Sequence, residues 1–225
     1  MRLAVFDIDG TLVTCRSELR FSRFLWRRGL IRIGQISGFL GHMLHYLPID
    51  GGDVAKRNKA YLAGLESRSL RRLATQFVDD ELWGMRYEPA FERLEQHLDR
   101  RDIVLLLSGT LQPIADALAE RLGVQHAWAT VCKERDGVLL AQPPERHPFA
   151  SSKRVLAATF ARHHGLSLSQ AYAYCDSYHD LELLGAVGHP VAVRPDRQLL
   201  ALATERGWEV LRKESRAVLR RSSRA

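Results

Sequence analysis

Asp7 and Asp9 sit two residues apart at the end of the apolar run 2–6, and Gly10 and Thr11 follow at once. One carboxylate leaving a buried strand can serve as a helix cap. Two on one turn point instead to a cation or a reaction. A second apolar run, 103–107, ends in Ser108, Gly109 and Thr110, and a third, 171–175, ends in Asp176, Ser177 and, one helical turn on, Asp180. Lys153 opens a helical pattern between them. If the runs are parallel strands, their carboxyl ends share the edge where ligands of such sheets bind. Four carboxylates at one edge repel one another unless a cation joins them. Hard oxygen donors in a partial cage suit Mg²⁺, which keeps several waters and shares its shell with a phosphate. Lys153 and the backbone N–H groups around Asp9, Gly10 and Gly109 suit the phosphate oxygens.

These residues can meet only if the elements around them form such a sheet. A fourth apolar run lies near 191–193, and helical patterns occupy roughly 88–99, 112–122, 151–164 and 178–186. Strands alternating with helices of this length predict an α/β fold, a doubly wound, Rossmann-like parallel sheet. Residues 127–142 differ, because Asp136-Gly137 between two apolar runs signals a hairpin. The stretch 15–85 also breaks the alternation, since a connection after a first strand is usually a few residues. Ile33, Ile36, Phe39, Leu40, Met43, Leu44 and Leu47 fall on one helical stripe, stopped by Pro48 and Gly51-Gly52. Further helical runs cover about 53–64 and 67–83. The reading is a core of 1–14 and 86–211, a small helical cap over 15–85 inserted after the first strand, and a basic tail at 212–225.

The 225 residues are 46% apolar and 26% charged, as in an ordinary globular protein. No apolar run is long enough to span a membrane, and Asp7 and Asp9 interrupt the N-terminal run too early for a signal peptide. Cys15, Cys132 and Cys175 have no CxxC spacing, which argues against a disulfide framework or a zinc site and for the cytoplasm. Of the net charge of +7, most comes from 212–225, with six basic residues against one acid. That tail reads as a solvated terminus or as a contact for anionic partners. It carries no interleaved aromatic residue, so nucleic acid is not expected as a partner.

Taken singly, Ser108 reads as a helix N-cap, Lys153 as an exposed lysine, and Asp176 and Asp180 as the lining of a helix start. Asp7 and Asp9 alone could open a calcium loop, but the further acidic positions of such a loop are missing. Together, "DIDGTLV", "LLLSGT", Lys153 and "CDSYHDLELL" resemble, in order, the four motifs of the haloacid dehalogenase-like phosphatases. The pattern is similar to the phosphoserine phosphatase-like subfamily with a helical cap after the first motif. The resemblance implies Asp7 as nucleophile, giving an aspartyl-phosphate, and Asp9 as general acid and base. It implies Asp7, the main-chain carbonyl of Asp9, and Asp176 as ligands of Mg²⁺. Ser108, Gly109 and Lys153 would bind the phosphate, with Thr11, Thr110 and Asp180 in support.

Three positions depart from that pattern. Cys175 stands where glycine is frequent, and Thr110 where a second glycine is usual. Arg16 occupies the place, nine residues after the nucleophile, where phosphoserine phosphatases carry a glutamate for the substrate's ammonium group. Arginine repels an ammonium and attracts an anion. Arg16, Arg20, Arg23, Arg27, Arg28 and Arg32 form either a solvated face or a cationic mouth. The substrate is thus read as a small phosphorylated metabolite, or as a lysophosphatidate-like lipid phosphate met at the membrane surface. A binding protein that has lost catalysis and uses its basic tail is the third reading.

Overall fold

The structure is a computed structural model that describes residues 1–31 and 58–212. The 33–47 stripe, the start of the 53–64 run, Arg32 and the tail beyond Arg212 lie outside the described residues.

Six strands form one parallel sheet: β1 (Leu3–Phe6), β2 (Ile103–Leu111), β3 (His126–Thr130), β6 (Tyr172–Cys175), β7 (His189–Val193) and β8 (Glu209–Leu211). Their order across the sheet is β3-β2-β1-β6-β7-β8, so β1 is central and the winding runs outward both ways from it. Apolar runs this short and this continuous are what a strand buried on both faces requires. Successive side chains go to opposite faces. Ala4, Phe6, Leu106, Tyr174 and Val191 face one layer of helices, α3 (Glu88–Asp99) and α4 (Gln112–Leu122). Leu3, Val5, Leu105, Leu107, Ala173 and Ala192 face the other, α5 (Ser151–His163), α6 (Leu181–Leu184) and α7 (Arg197–Glu205). Each Leu or Phe so buried contributes about 1.5–3 kcal/mol. The expected doubly wound parallel sheet is borne out.

Between β1 and α3 lie α1 (Ser17–Arg27), α2 (Ser67–Phe77) and a π-then-3₁₀ segment over 78–85. Phe21 and Phe24 of α1 pack on Phe77, with ring centroids 5.2 and 5.5 Å away, inside the first core. The hairpin at 127–142 is present in reduced form: β4 (Glu134–Arg135) and β5 (Val138–Leu139) pair antiparallel around Asp136-Gly137. Among the described residues no helix is long and apolar enough to cross a membrane.

Three details differ from expectation. β2 does not stop at Leu107 but runs on to Leu111, with a bulge: Leu107 pairs with Trp128 and Leu111 with Thr130. Ser108, Gly109 and Thr110 there stand against Ala129 alone on β3, and bulges beside sites re-aim side chains in this way. The helix expected over 178–186 is a 3₁₀ turn, Tyr178–Asp180, followed by the short α6. The edge strand β8 is additional, three residues long and only partly buried, so it leaves little periodic signal.

Candidate active site

β1 ends between its two neighbours, and its end is held by the Asp7 N–H donating to the Tyr174 carbonyl at 3.0 Å. Asp7 therefore emerges beside Asp176, which follows β6, and beside the 3₁₀ turn carrying Asp180. One carboxylate oxygen from each of Asp7, Asp176 and Asp180 lies within 4.8 Å of the others. Lys153 reaches into this cluster from the first turn of α5. Its ammonium donates to Asp180 at 2.9 Å and lies 3.0 Å from Asp7. Asp7, Lys153 and Asp180 are all buried.

Asp7 and Asp180 thus share one ammonium in a poorly solvated place, with the half-buried Asp176 beside them. Burial lifts the Asp7 carboxyl above the usual carboxylate range although Lys153 opposes it, and Asp180 adds to the rise. Asp176 is pushed up to about 8, by burial first and by the Asp7 charge second. Burial alone would lower Lys153, but Asp180 and Asp7 hold it well above the ordinary lysine range. A donor set of hard oxygens with an excess of negative charge is what a divalent cation requires.

Asp9 is turned away from this cluster. Its carboxylate accepts the Ser17 N–H at 3.0 Å, at the amino end of α1. Arg16 occupies the N-cap position without a capping side-chain bond, so Asp9 supplies the acceptor for that helix end. Burial nevertheless lifts Asp9 to about 7. The Ser17 hydroxyl meets the Thr110 hydroxyl at 2.6 Å, which ties α1 to the β2 bulge. The Thr110 N–H donates to the Ser108 Oγ at 3.4 Å, and the Thr130 hydroxyl donates to the Gly109 carbonyl at 2.7 Å. The bulge is therefore fixed at each of its three residues. Thr11 is buried behind the turn.

Gly10 shows why the turn needs glycine. Its φ is +77°, and a Cβ there would lie 2.0 Å from an Asp176 carboxylate oxygen. A left-handed non-glycine residue costs about 1–3 kcal/mol before any clash. Gly10→Ala is expected to lower the melting temperature and, by displacing Asp176, to reduce the stabilisation gained from a divalent cation. Thermal unfolding with and without that cation measures both effects.

All the sequence-predicted residues line one cavity of about 920 Å³ except Thr11, which lies beneath it. Arg16 is on its rim, exposed. Cys175 is buried on the second core face beside the site. Several further residues were not anticipated. Asp196 accepts the N–H groups of Leu199 and Tyr178, both at 2.8 Å, and donates its own N–H to the Asp176 carbonyl at 2.9 Å. It thereby clamps the Asp176 loop to α7. The pair Pro195-Asp196 ahead of a helical pattern is an N-cap signal that could have revealed it. Arg194 donates to the Gly10 carbonyl at 3.4 Å. Glu18, on the cavity wall, accepts from the buried Lys59 ammonium at 2.6 and 2.7 Å and from the Tyr61 hydroxyl at 2.9 Å.

Comparison with known proteins agrees with this geometry. The family model of haloacid dehalogenase-like hydrolases matches residues 4–185. The phosphoserine phosphatase SerB1 of Mycobacterium tuberculosis is 33% identical over 217 residues, covering 92% of this chain and 69% of that protein. A histidinol-phosphatase of Neisseria meningitidis serogroup C is 26% identical over 220 residues, covering 93% and 97%. Among solved structures, a protein of unknown function from Bordetella pertussis Tohama I superposes with a TM-score of 0.80 at 28% identity, covering 94% and 98%. A phosphoserine phosphatase with bound substrate shares the fold, with a TM-score of 0.63, 18% identity and coverage of 94% and 93%. The chain belongs to the haloacid dehalogenase-like hydrolase family.

Proposed function

We propose that the protein is a Mg²⁺-dependent phosphatase that hydrolyses a small phosphate monoester through an aspartyl-phosphate on Asp7. The observation that carries this reading is the cluster of the buried Asp7 and Asp180, both paired with Lys153, and the half-buried Asp176, at the carboxyl end of the central strand. The donor set fits the metal. Asp7 and Asp176 would hold Mg²⁺ with the main-chain carbonyl of Asp9, and water would complete the shell. When bound, Mg²⁺ supplies charge that offsets the phosphoryl oxygens as they approach the carboxylates.

The chain's own residues do the rest. A carboxylate oxygen of Asp7 attacks phosphorus in line. The bond from phosphorus to the alcohol oxygen breaks as Asp9 passes its proton to that oxygen. In the second half, Asp9 takes a proton from water as that water attacks phosphorus, and Asp7 leaves as a carboxylate with inorganic phosphate. A carboxyl lifted to about 7 by burial suits both jobs near neutral pH. Ser108, the Gly109 region and Lys153 hold the transferring oxygens, where donors fixed in a dry site are most effective. Asp180 holds Lys153, and Thr11 and Thr110 brace the two loops.

The small-metabolite reading is preferred to the lipid-phosphate and binding-protein readings. Asp7, Asp9, Ser108, Lys153 and Asp176 share one cavity, and relatives of the chain are named as phosphatases. Arg16 on the cavity rim keeps the argument against the ammonium of phosphoserine. The test is phosphate release from p-nitrophenyl phosphate in MgCl₂ and in EDTA. Turnover that is lost in EDTA and restored by Mg²⁺ is expected. Turnover indifferent to EDTA would overturn the metal assignment, and none under any condition would overturn the hydrolase.

A further inference from the structure

The cavity above Asp7 is larger and less polar on its outer walls than a phosphate and a short polar alcohol require. Leu19, Ser22, Arg23 and Trp26 recur at helical spacing along α1, and all four line it. The opposite stripe of the helix, Ser17, Phe21, Phe24 and Leu25, is buried in the core. Among the described residues Leu19 and Trp26 are therefore outside the buried core, 49% and 52% exposed, and count among the large apolar side chains in contact with solvent. Isolated exposed apolar residues need no explanation, but two on one stripe facing a reaction site do.

Another part of the cavity lining is aromatic. Phe149 lines the cavity between His147 and His179, with ring centroids 5.9 and 5.1 Å away. The loop that carries Phe149 is fastened to α5. The Phe149 N–H donates to the Ser152 hydroxyl oxygen at 2.8 Å, and that hydroxyl lies 2.7 Å from the Phe149 carbonyl. This surface is thus positioned before any ligand arrives. About 920 Å³ is near the upper end of the volume that holds a drug-sized ligand.

We propose that the substrate's alcohol is a flat, largely apolar group, aromatic or heteroaromatic, received by Leu19 and Trp26 of α1 and by the Phe149 surface while its phosphate is held at Asp7. The inference rests on the phosphatase reading above and narrows its substrate class. The occupant is argued from continuity: Leu19, Trp26 and Phe149 line the same cavity as Asp7, so a group esterified to a phosphate held at Asp7 shares that cavity with them.

Steady-state hydrolysis of 2-phenylethyl phosphate and of glycerol 2-phosphate tests this in the wild-type protein and in Trp26→Ala. The wild type is expected to show a KM about tenfold lower for the aromatic ester. Trp26→Ala should raise that KM about five- to tenfold, as loss of an aromatic contact implies, and leave KM for glycerol 2-phosphate and both kcat values unchanged. Quenching of tryptophan fluorescence by benzylphosphonate, reduced in Trp26→Ala and absent with inorganic phosphate, is the matching binding result. Equal KM values for the two esters, or a Trp26→Ala effect on both alike, would overturn this inference and leave the phosphatase reading intact. Hydrolysis of neither ester by a wild type that turns over p-nitrophenyl phosphate would overturn this inference alone, and loss of p-nitrophenyl phosphate turnover as well would overturn both readings.

Discussion

Asp7→Asn is expected to lower kcat by about 10⁴-fold or more if Asp7 is the nucleophile proposed above, because an amide cannot form and release the acyl phosphate that a carboxylate can. The shape of the side chain is kept, so the loss is expected without loss of fold. Asp7, Asp176 and Asp180 crowd one site, and burial already lifts Asp7 and Asp176. A neutral side chain at position 7 removes part of that repulsion, while Lys153 keeps Asp180 at 2.9 Å. The metal-free variant should therefore melt no lower than the wild type at pH 8. Acid quenching during turnover of a radiolabelled ester should leave label on the wild-type chain and none on Asp7→Asn. Label retained by the variant would remove Asp7 from the role of nucleophile.

Lys153→Met is expected to have the largest effect on stability. It takes the ammonium away from the buried carboxylates of Asp7 and Asp180, and breaking a buried ion pair from one side costs about 3–5 kcal/mol. For a domain of this size that is a fall in melting temperature of roughly 6–20 °C. The pH dependence has a definite sign. Carboxyls held above their ordinary value of 3.8 bind more protons folded than unfolded, so their contribution is complete below that value and is lost as pH rises through about 7 for Asp9 and about 8 for Asp176. The metal-free wild type therefore loses stability from pH 5 to pH 8.5. Lys153→Met loses more over the same interval, since Lys153 then no longer opposes the rise at Asp7. Mg²⁺ should recover part of the difference at pH 8.5 and little at pH 5. Melting curves of both proteins across this range, with and without Mg²⁺, measure it. A deficit that is constant with pH would mean that Lys153 acts by packing alone.

What could be read from the chain and what could not divides along physical lines. The central strands were legible because burial on both faces demands unbroken apolar runs, and the helices at 88–99 and 112–122 because their apolar positions keep a helical period. Asp7, Ser108, Asp176 and Asp180 were legible because each follows such a run, so one topological rule places them at one edge, whereas Lys153 comes from a helix start and only the order of the motifs singled it out. The extension of β2 was hidden because Ser-Gly-Thr reads as an end of strand, whereas the fold carries those residues through as a bulge. The contact of Glu18 with Lys59 was hidden because it spans 41 positions and no local pattern announces it. Asp196 left a capping signal, but nothing in that signal says that its own N–H reaches the Asp176 loop.

Helix α1 has two faces, one buried in the core and one along the cavity. Its first turn is bound to Asp9 and Thr110 through Ser17. On the proposed reading, mutational drift along Leu19, Ser22, Arg23 and Trp26 would retune which alcohols are accepted while the Asp9 carboxyl keeps its place. A single helix thus lets specificity evolve at a rate of its own, uncoupled from the chemistry it borders.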